Sequence, residues 1–178
     1  MKIYLGIDAG SVSTKLAAID SRGELVAHVY LKTQGEPVAA VQAGLKEIKL
    51  QLPADTVIGG VAATGSARYL VGVVTGADLV KNEITAQAEA ALRFMPDVQT
   101  VIEIGGQDSK IIIIRDGAVT DFGMNSVCAA GTGSFLDHQA ARLNMSIEEF
   151  SRRALVSKKP ARVVGKCTVF AESDMIHR

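Results

Sequence analysis

An acidic residue followed by a glycine and several hydroxyl groups stands near the start of the chain. Residues 8–15 read Asp-Ala-Gly-Ser-Val-Ser-Thr-Lys and end a short apolar run. In a tight turn, such a segment offers N–H groups and hydroxyls to phosphate oxygens, while Asp8 can reach a hydrated Mg²⁺ ion. The residues expected to bind phosphate are Gly10, Ser11, Ser13, Thr14 and Lys15. The spacing is not that of a Walker P-loop, so the segment is predicted to be a phosphate-binding hairpin; the alternative is a plain hairpin turn.

A second segment, residues 103–110, repeats this chemistry in the sequence Glu-Ile-Gly-Gly-Gln-Asp-Ser-Lys. Glu103 and Asp108 join Asp8 as candidate catalytic carboxylates. The residues expected to bind the nucleotide here are Gly105, Gly106 and Gln107. Two such hairpins facing each other would hold the β- and γ-phosphates from both sides, while a carboxylate positions water. A tight turn explains the two glycines equally well by themselves, but the occurrence of both segments favours nucleotide binding.

The chain has two cysteines, Cys128 and Cys167. Each precedes a segment predicted to be a helix, and helix N-termini stabilise thiolates and anionic clusters. A cubane iron-sulfur cluster needs about four thiolates, so two subunits related by a twofold axis would complete the set. Zinc is less favoured because no histidine lies nearby at zinc-ligand spacing. The alternative is that both cysteines are small buried hydrophobic residues, the commonest role of a free cysteine.

The order of strand-like and helix-like segments repeats along the chain, and each copy contains one of the two hairpin segments. Three apolar runs predict an antiparallel meander, which is followed by a helix, a returning strand and a second helix. The meander pattern then restarts and leads into another helix, which indicates an internal repeat with a boundary near residues 96–97. The predicted strands are 3–7, 15–19, 25–31, 57–62, 100–104, 111–114 and 118–122, and the predicted helices are 38–48, 83–94, 132–143 and a last one after residue 167.

Composition and charge narrow the class of protein. With 178 residues and 48% apolar content, the chain has room for one substantial domain or two small ones. Nineteen basic and nineteen acidic residues cancel, which argues against nucleic acid or an anionic membrane as the main partner. The first residues lack the features of a signal peptide, and no apolar run is long enough to cross a bilayer. We therefore expect a cytoplasmic protein whose cysteines are not paired in a disulfide.

The two phosphate segments resemble the first and second phosphate motifs of the ATPases that share the actin, heat-shock protein 70 and sugar kinase fold. The cysteine segments narrow this resemblance. Cys-Ala-Ala-Gly-Thr-Gly at 128–133 and Cys-Thr-Val-Phe-Ala-Glu-Ser at 167–173, together with residues 103–110, closely resemble the activator ATPases of 2-hydroxyacyl-CoA dehydratases and the related ATPase subunits of benzoyl-CoA reductase. The resemblance runs through nearly the whole chain.

This resemblance implies an α/β fold of two RNase H-like, actin-type ATPase domains. Residues 1–96 would form the first domain, and residues 97–178 would form the second, which carries the second hairpin and both cysteines. The implied cofactors are ATP, Mg²⁺ and one [4Fe-4S] cluster per homodimer, bound by Cys128 and Cys167 of each subunit. ATP hydrolysis would drive a low-potential electron from the cluster into a 2-hydroxyacyl-CoA dehydratase or a related reductase.

Two other functions stay open from the residues. A cluster-free kinase or ATPase of the same fold would bury its cysteines and use Glu103 or Asp108 as the catalytic carboxylate. A non-catalytic nucleotide-binding module is the other, since the adenosine motif of the superfamily lies in a later region that this sequence does not contain. The second domain is accordingly expected to be incomplete and to expose apolar sheet surface.

Overall fold

The structure, a computed structural model, describes residues 1–125, 132–165 and 167–177. Its internal contacts divide the chain into two compact units, Met1–Val98 and Gln99–Arg178. The assignment of each unit to an RNase H-like domain stays a prediction. Among the described residues, no helix is both long and apolar enough to span a membrane.

The first unit is a five-stranded mixed sheet with helices. Strands β1, β2 and β3 form an antiparallel meander, and β4 and β5 add to the other edge of β1 in parallel, which gives the order β3-β2-β1-β4-β5. The elements are β1 (Lys2–Ala9), β2 (Ser13–Asp20), β3 (Leu25–Lys32), α1 (Pro37–Gln51), β4 (Val57–Thr64), α2 (Arg68–Thr75), β5 (Leu79–Val80) and α3 (Glu83–Phe94).

Alternation of buried and exposed side chains explains how this sheet packs. Ile3, Leu5 and Ile7 of β1 are buried on one face, because successive residues of a strand point to opposite faces. They share a hydrophobic core with Val41 and Ile48 of α1, the helix that covers this face. The meander thus presents its β1–β2 turn at the edge of a well-packed layer.

The second unit begins with a three-stranded antiparallel sheet in the order β6-β7-β8. Ile112 and Ile114 of β7 are buried, whereas every residue of β8 is exposed. The strands are β6 (Thr100–Ile104), β7 (Ser109–Arg115) and β8 (Ala118–Met124), and the helices are α4 (Gly133–Arg142), α5 (Ile147–Val156) and α6 (Thr168–Ile176). The two antiparallel meanders have the same connectivity, β1-β2-β3 and β6-β7-β8.

The predicted strands and helices are confirmed with small shifts at their ends, and the helix at residues 83–94 has the bounds expected. Three elements were not predicted from the sequence: α2, β5 and α5. The α2 segment is rich in valine, which favours strands, and it ends at Gly76 in the left-handed conformation. The sequence did contain a signal for α5, the Ser-x-x-Glu spacing of a capping box at residues 146–149. In the structure the hydroxyl of Ser146 accepts a hydrogen bond from the N–H of Glu149.

Candidate functional site: two matched hairpins and a helix-capping cysteine

Residues 8–15 form hairpin 1, the turn that joins β1 to β2. The N–H of Gly10 donates to the carbonyl of Ser13 at 3.0 Å and closes the turn. Asp8 and Lys15 lie opposite each other in the strand register, and Lys15 Nζ donates to Asp8 Oδ2 at 3.0 Å. Both side chains are partly exposed. Hairpin 1 therefore presents a carboxylate and an ammonium group beside a turn that carries Ser11.

Thr33, at the end of β3, supports hairpin 1 from the neighbouring segment. Its hydroxyl donates to the carbonyl of Gly10 at 2.8 Å, and its N–H donates to the carbonyl of Val12 at 2.9 Å. The hydroxyl of Thr14 lies 2.9 Å from that of Thr33 and is fully buried. In this conformation Thr14 supports the turn from inside, and its predicted contact with phosphate stays a prediction.

Gly65, just after β4, closes against the end of β1. It has a φ of +95°, and a Cβ atom at this position would lie 2.5 Å from the carbonyl oxygen of Ala9 and 2.6 Å from Asp8 Oδ1. The N–H of Ala67 also donates to the carbonyl of Ala9 at 3.0 Å. Only glycine fits this approach without moving the carboxylate of Asp8.

Residues 103–110 form hairpin 2, which joins β6 to β7 with the same bonding as hairpin 1. The N–H of Gly105 donates to the carbonyl of Asp108 at 2.8 Å. Lys110 Nζ donates to Glu103 Oε2 at 3.0 Å and to Asp108 Oδ1 at 2.7 Å. The side chain of Lys110 is only 4% exposed, whereas that of Lys15 is 39% exposed. Hairpin 2 thus places two predicted catalytic carboxylates on one buried cation.

The N-terminus of α4 holds the turn of hairpin 2. The N–H groups of Gly133 and Ser134 donate to the carbonyls of Gly105 and Gly106 at 2.9 and 3.0 Å. A pocket of about 270 Å³ lies beside this contact, bordered by Gln107 of the turn, by α4 and by the first turns of α6. The first free N–H groups of α4 are therefore used by the hairpin backbone.

Of the two predicted cluster ligands, Cys167 is described and Cys128 lies outside the described residues. Cys167 occupies the N-cap of α6 with its side chain partly exposed and in the free thiol form. An ion pair between Arg142 and Glu172 joins α4 to α6. Within residues 1–125, 132–165 and 167–177, no three or more acidic, histidine or cysteine side chains group together as a metal site. One partly exposed thiol at a helix N-terminus fits one ligand of a thiolate-bound cluster.

The predicted site residues thus fall into two groups within the described residues. Hairpin 1 holds Asp8, Gly10, Ser11, Ser13, Thr14 and Lys15, and hairpin 2 holds Glu103, Gly105, Gly106, Gln107 and Asp108. The sequence reasoning missed Thr33 and Gly65, because both come from segments distant in the chain. It also missed the role of Lys110, although its spacing from Glu103 equals that of Lys15 from Asp8.

Comparison with known proteins places these hairpins in a family. The (R)-2-hydroxyglutaryl-CoA dehydratase activating ATPase of Acidaminococcus fermentans is 38% identical over 99% of this chain and 67% of its own length. The activator of lactoyl-CoA dehydratase of Anaerotignum propionicum is 33% identical over 97% of this chain and 66% of its own length. The chain therefore spans about two thirds of the length of these relatives.

A solved structure agrees with the sequence comparison. The activator of the 2-hydroxyisocaproyl-CoA dehydratase from Clostridium difficile, with bound ADPNP, matches 98% of this chain and 65% of its own chain with a TM-score of 0.87 and 29% identity. The α/β fold expected from the sequence, that of activator ATPases in the actin-like superfamily, is confirmed. The model of the BadF/BadG/BcrA/BcrD ATPase family matches residues 5–178, and this chain belongs to that family.

Proposed function

We propose that this chain binds ATP with Mg²⁺ through its two hairpins and hydrolyses it. The observation that carries this proposal is the matched bonding of hairpins 1 and 2. In each, a glycine N–H closes the turn onto the residue three positions later, and an acidic side chain pairs with a lysine across the two strands. Tight turns that carry hydroxyl groups suit phosphate oxygens, and paired carboxylates suit Mg²⁺ and the attacking water.

The proposed binding of Mg²⁺ and phosphate and the proposed hydrolysis are divided between the residues of the two hairpins. Asp8 would hold the hydrated Mg²⁺ ion, Ser11 and Ser13 would donate their hydroxyls to phosphate oxygens that approach the turn at Gly10, and Lys15 would add a positive charge. The proposed phosphate contacts of hairpin 2 are Gly105, Gly106 and Gln107, and its catalytic carboxylates are Glu103 and Asp108. One of these two carboxylates accepts a hydrogen bond from the water that attacks the γ-phosphate.

We propose in addition that ATP hydrolysis serves a 2-hydroxyacyl-CoA dehydratase or a related reductase as partner. Support comes from relatives whose names describe them as dehydratase activators, and from a benzoyl-CoA reductase subunit of Thauera aromatica, which is 30% identical over 53% of this chain and 34% of its own length. The proposed location is the cytoplasm, where thiols stay reduced.

The proposed redox group is one [4Fe-4S] cluster shared by two subunits. Cys128 and Cys167 of each subunit would supply its four thiolates, and the bound cluster would supply a low-potential electron for the partner. The support in this chain is the partly exposed thiol of Cys167 at the N-terminus of α6, where the helix dipole stabilises a thiolate. An ion pair between Arg142 and Glu172 also joins α6 to α4.

Exchange of Asp8 for asparagine tests the nucleotide proposal. We expect Asp8→Asn to lower the Mg²⁺-dependent ATPase rate roughly 100-fold, because the neutral amide is a much weaker ligand for the hydrated metal ion. The measurement is phosphate release by the full chain with and without Mg²⁺. Asp55→Asn is the matched control, since Asp55 is 82% exposed and pairs with the N-terminal amine. Equal rates in Asp8→Asn and in the unaltered chain would rule out hairpin 1 as the metal-phosphate site.

A further inference from the structure

The two hairpins are matched in bonding but differ in the burial of their lysines. Lys15 and Lys110 each stand seven residues after an acidic side chain and pair with it at 3.0 Å. Lys15 is 39% exposed and pairs with one carboxylate, whereas Lys110 is 4% exposed and pairs with two. The same residue type at the same position therefore has two different electrostatic environments.

Burial makes the cation of hairpin 2 difficult to remove. The ammonium group is buried, whereas the facing side chains of Glu103 and Asp108 are 21% and 40% exposed. Its removal leaves two neighbouring negative charges, one of them partly buried, without this cation, and the loss of one partner of a buried ion pair is destabilising. Glu103 and Asp108 both accept a hydrogen bond from Lys110, and a Cβ atom on Gly105 would lie 3.2 Å from Glu103 Oε1 and 3.1 Å from Asp108 Oδ1. The lysine, the two carboxylates and the turn above them thus form one fixed cluster.

The cation of hairpin 1 has the opposite properties. Exposed ion pairs contribute little to stability because water solvates the separated groups well. Lys15 also has a second contact at hand, since its Nζ lies 5.8 Å from the ring centroid of the exposed Tyr30. Departure of this ammonium from Asp8 therefore leaves neither group buried without a partner.

We propose that the two lysines have different functions, an inference that rests on the proposed binding of Mg²⁺ and ATP. Lys110 is a permanent counter-ion and a positioning residue, which holds the carboxylates of Glu103 and Asp108 under the turn of hairpin 2. Lys15 is an exchangeable counter-ion, which leaves Asp8 when Mg²⁺ arrives with the nucleotide and turns to a phosphate oxygen. One hairpin is thus fixed before nucleotide binds, and the other changes its ion pair on binding.

Matched substitutions separate these functions. Lys110→Met in the nucleotide-free chain is expected to lower Tm by roughly 5 °C or more, whereas Lys15→Met leaves Tm nearly unchanged. With Mg²⁺ present, Lys15→Met is expected to weaken the binding of ADPNP about tenfold by calorimetry, a loss that a purely structural residue would not produce in a fully folded chain. Lys15→Arg should restore this binding, because an exposed guanidinium pairs well with phosphate. Lys110→Arg should not restore Tm, because the larger guanidinium group would have to displace its neighbours at a position that is only 4% exposed.

The outcomes decide between this inference and the proposed function. Equal Tm values for Lys110→Met and Lys15→Met, or a fully stable Lys110→Arg chain, would overturn the permanent role of Lys110. If the unaltered chain binds ADPNP and Lys15→Met binds it equally well, the proposed exchange of Lys15 from Asp8 to phosphate is overturned. If the unaltered chain does not bind ADPNP, the proposed function is overturned, and the role of Lys15 with it. If Lys110→Met does not fold, the neutral cluster Glu103→Gln/Asp108→Asn/Lys110→Met should fold. Failure of this triple variant as well would show that stranded charge is not the cause.

Discussion

At the scale of single residues, the position of Asp8 depends on a glycine from another strand. A Cβ atom on Gly65 would lie 2.6 Å from Asp8 Oδ1 and 2.5 Å from the carbonyl oxygen of Ala9. These are backbone and carboxylate atoms that have little freedom to retreat, since Ala9 is fully buried. Gly65 therefore affects the proposed nucleotide site although it has no side chain.

We expect Gly65→Ala to displace Asp8 and to weaken Mg²⁺-dependent ADPNP binding about tenfold, with a loss of roughly 2 kcal/mol in the free energy of unfolding. Gly117→Ala is the matched control. Gly117 also has a positive φ, of 74°, but a Cβ atom there has no neighbour within 4 Å. Calorimetric titration and denaturant unfolding check both variants. If Gly65→Ala and Gly117→Ala bind ADPNP with equal affinity, contact of the new Cβ atom with Asp8 is not what weakens nucleotide binding.

The residues of the candidate site that are close in sequence could be proposed from the sequence alone. Acid, glycine and lysine stand at fixed spacings within residues 8–15 and 103–110, so composition and turn chemistry sufficed to find them. Thr33 and Gly65 reach hairpin 1 from β3 and from the end of β4, and no local pattern marks such distant contacts. The unequal burial of Lys15 and Lys110 was equally hidden, because it depends on what packs around each hairpin.

At the scale of elements, α1 approaches β2 so closely that one helix position excludes a side chain. A Cβ atom on Gly44 of α1 would lie 2.4 Å from Leu16 Cδ1 of β2, and Leu16 is 1% exposed. The gain in helix propensity from Gly44→Ala, about 1 kcal/mol, is opposed by overpacking that costs about 1 to 3 kcal/mol. The contact between the new Cβ atom and Leu16 is therefore expected to decide whether Gly44→Ala raises or lowers the free energy of unfolding.

We expect Gly44→Ala to lower the free energy of unfolding by about 1 kcal/mol, measured by urea denaturation. Gln42→Ala on an exposed position of the same helix is the control and should change stability by less than about 0.5 kcal/mol. A stabilised Gly44→Ala chain would show that Leu16 can turn aside and that the approach of α1 is not limiting.

Elements were predictable where one kind of signal dominated. The meander strands were found because short runs of strand formers alternate with turn residues, as at Asp116 and Gly117, which both have positive φ. The α2 segment was missed because its valines favour a strand, while its helical state depends on packing of Val71 into the core. Two-residue β5 was too short for any pattern to detect.

At the scale of the whole molecule, the proposed function requires two copies of the chain. Two cysteines per subunit supply half of the thiolates that a cubane cluster needs, so the cluster itself would hold the dimer together. We expect chain reconstituted without oxygen to sediment as a dimer with about four irons and four sulfides. Cys167→Ala should contain no stable cluster and sediment as a monomer, because a set of two thiolates cannot hold four irons.

Iron and sulfide analysis with sedimentation checks this prediction, and Ser157→Ala, an exposed position just after α5, serves as the control. A folded, iron-free dimer of the unaltered chain would contradict the shared cluster and favour a cluster-free ATPase. The sequence predicted the repeated meanders of the molecule, since each is local in the chain. A ligand set completed by a second subunit follows from no periodicity within one chain, and the prediction rested on the number of cysteines and on the resemblance of their segments.

The matched hairpins also supply a rule for reading other sequences. Their eight residues share the order acid, any residue, glycine, two residues of any type, serine or aspartate, threonine or serine, and lysine. Four of these positions take part in the matched bonding: the glycine N–H donates to the backbone carbonyl of the sixth residue, and the first and eighth residues pair across the strands. A protein that carries this octapeptide twice, each time between two apolar strand-like runs, is expected to carry two hairpins of the same construction, even where its overall identity to this chain is low.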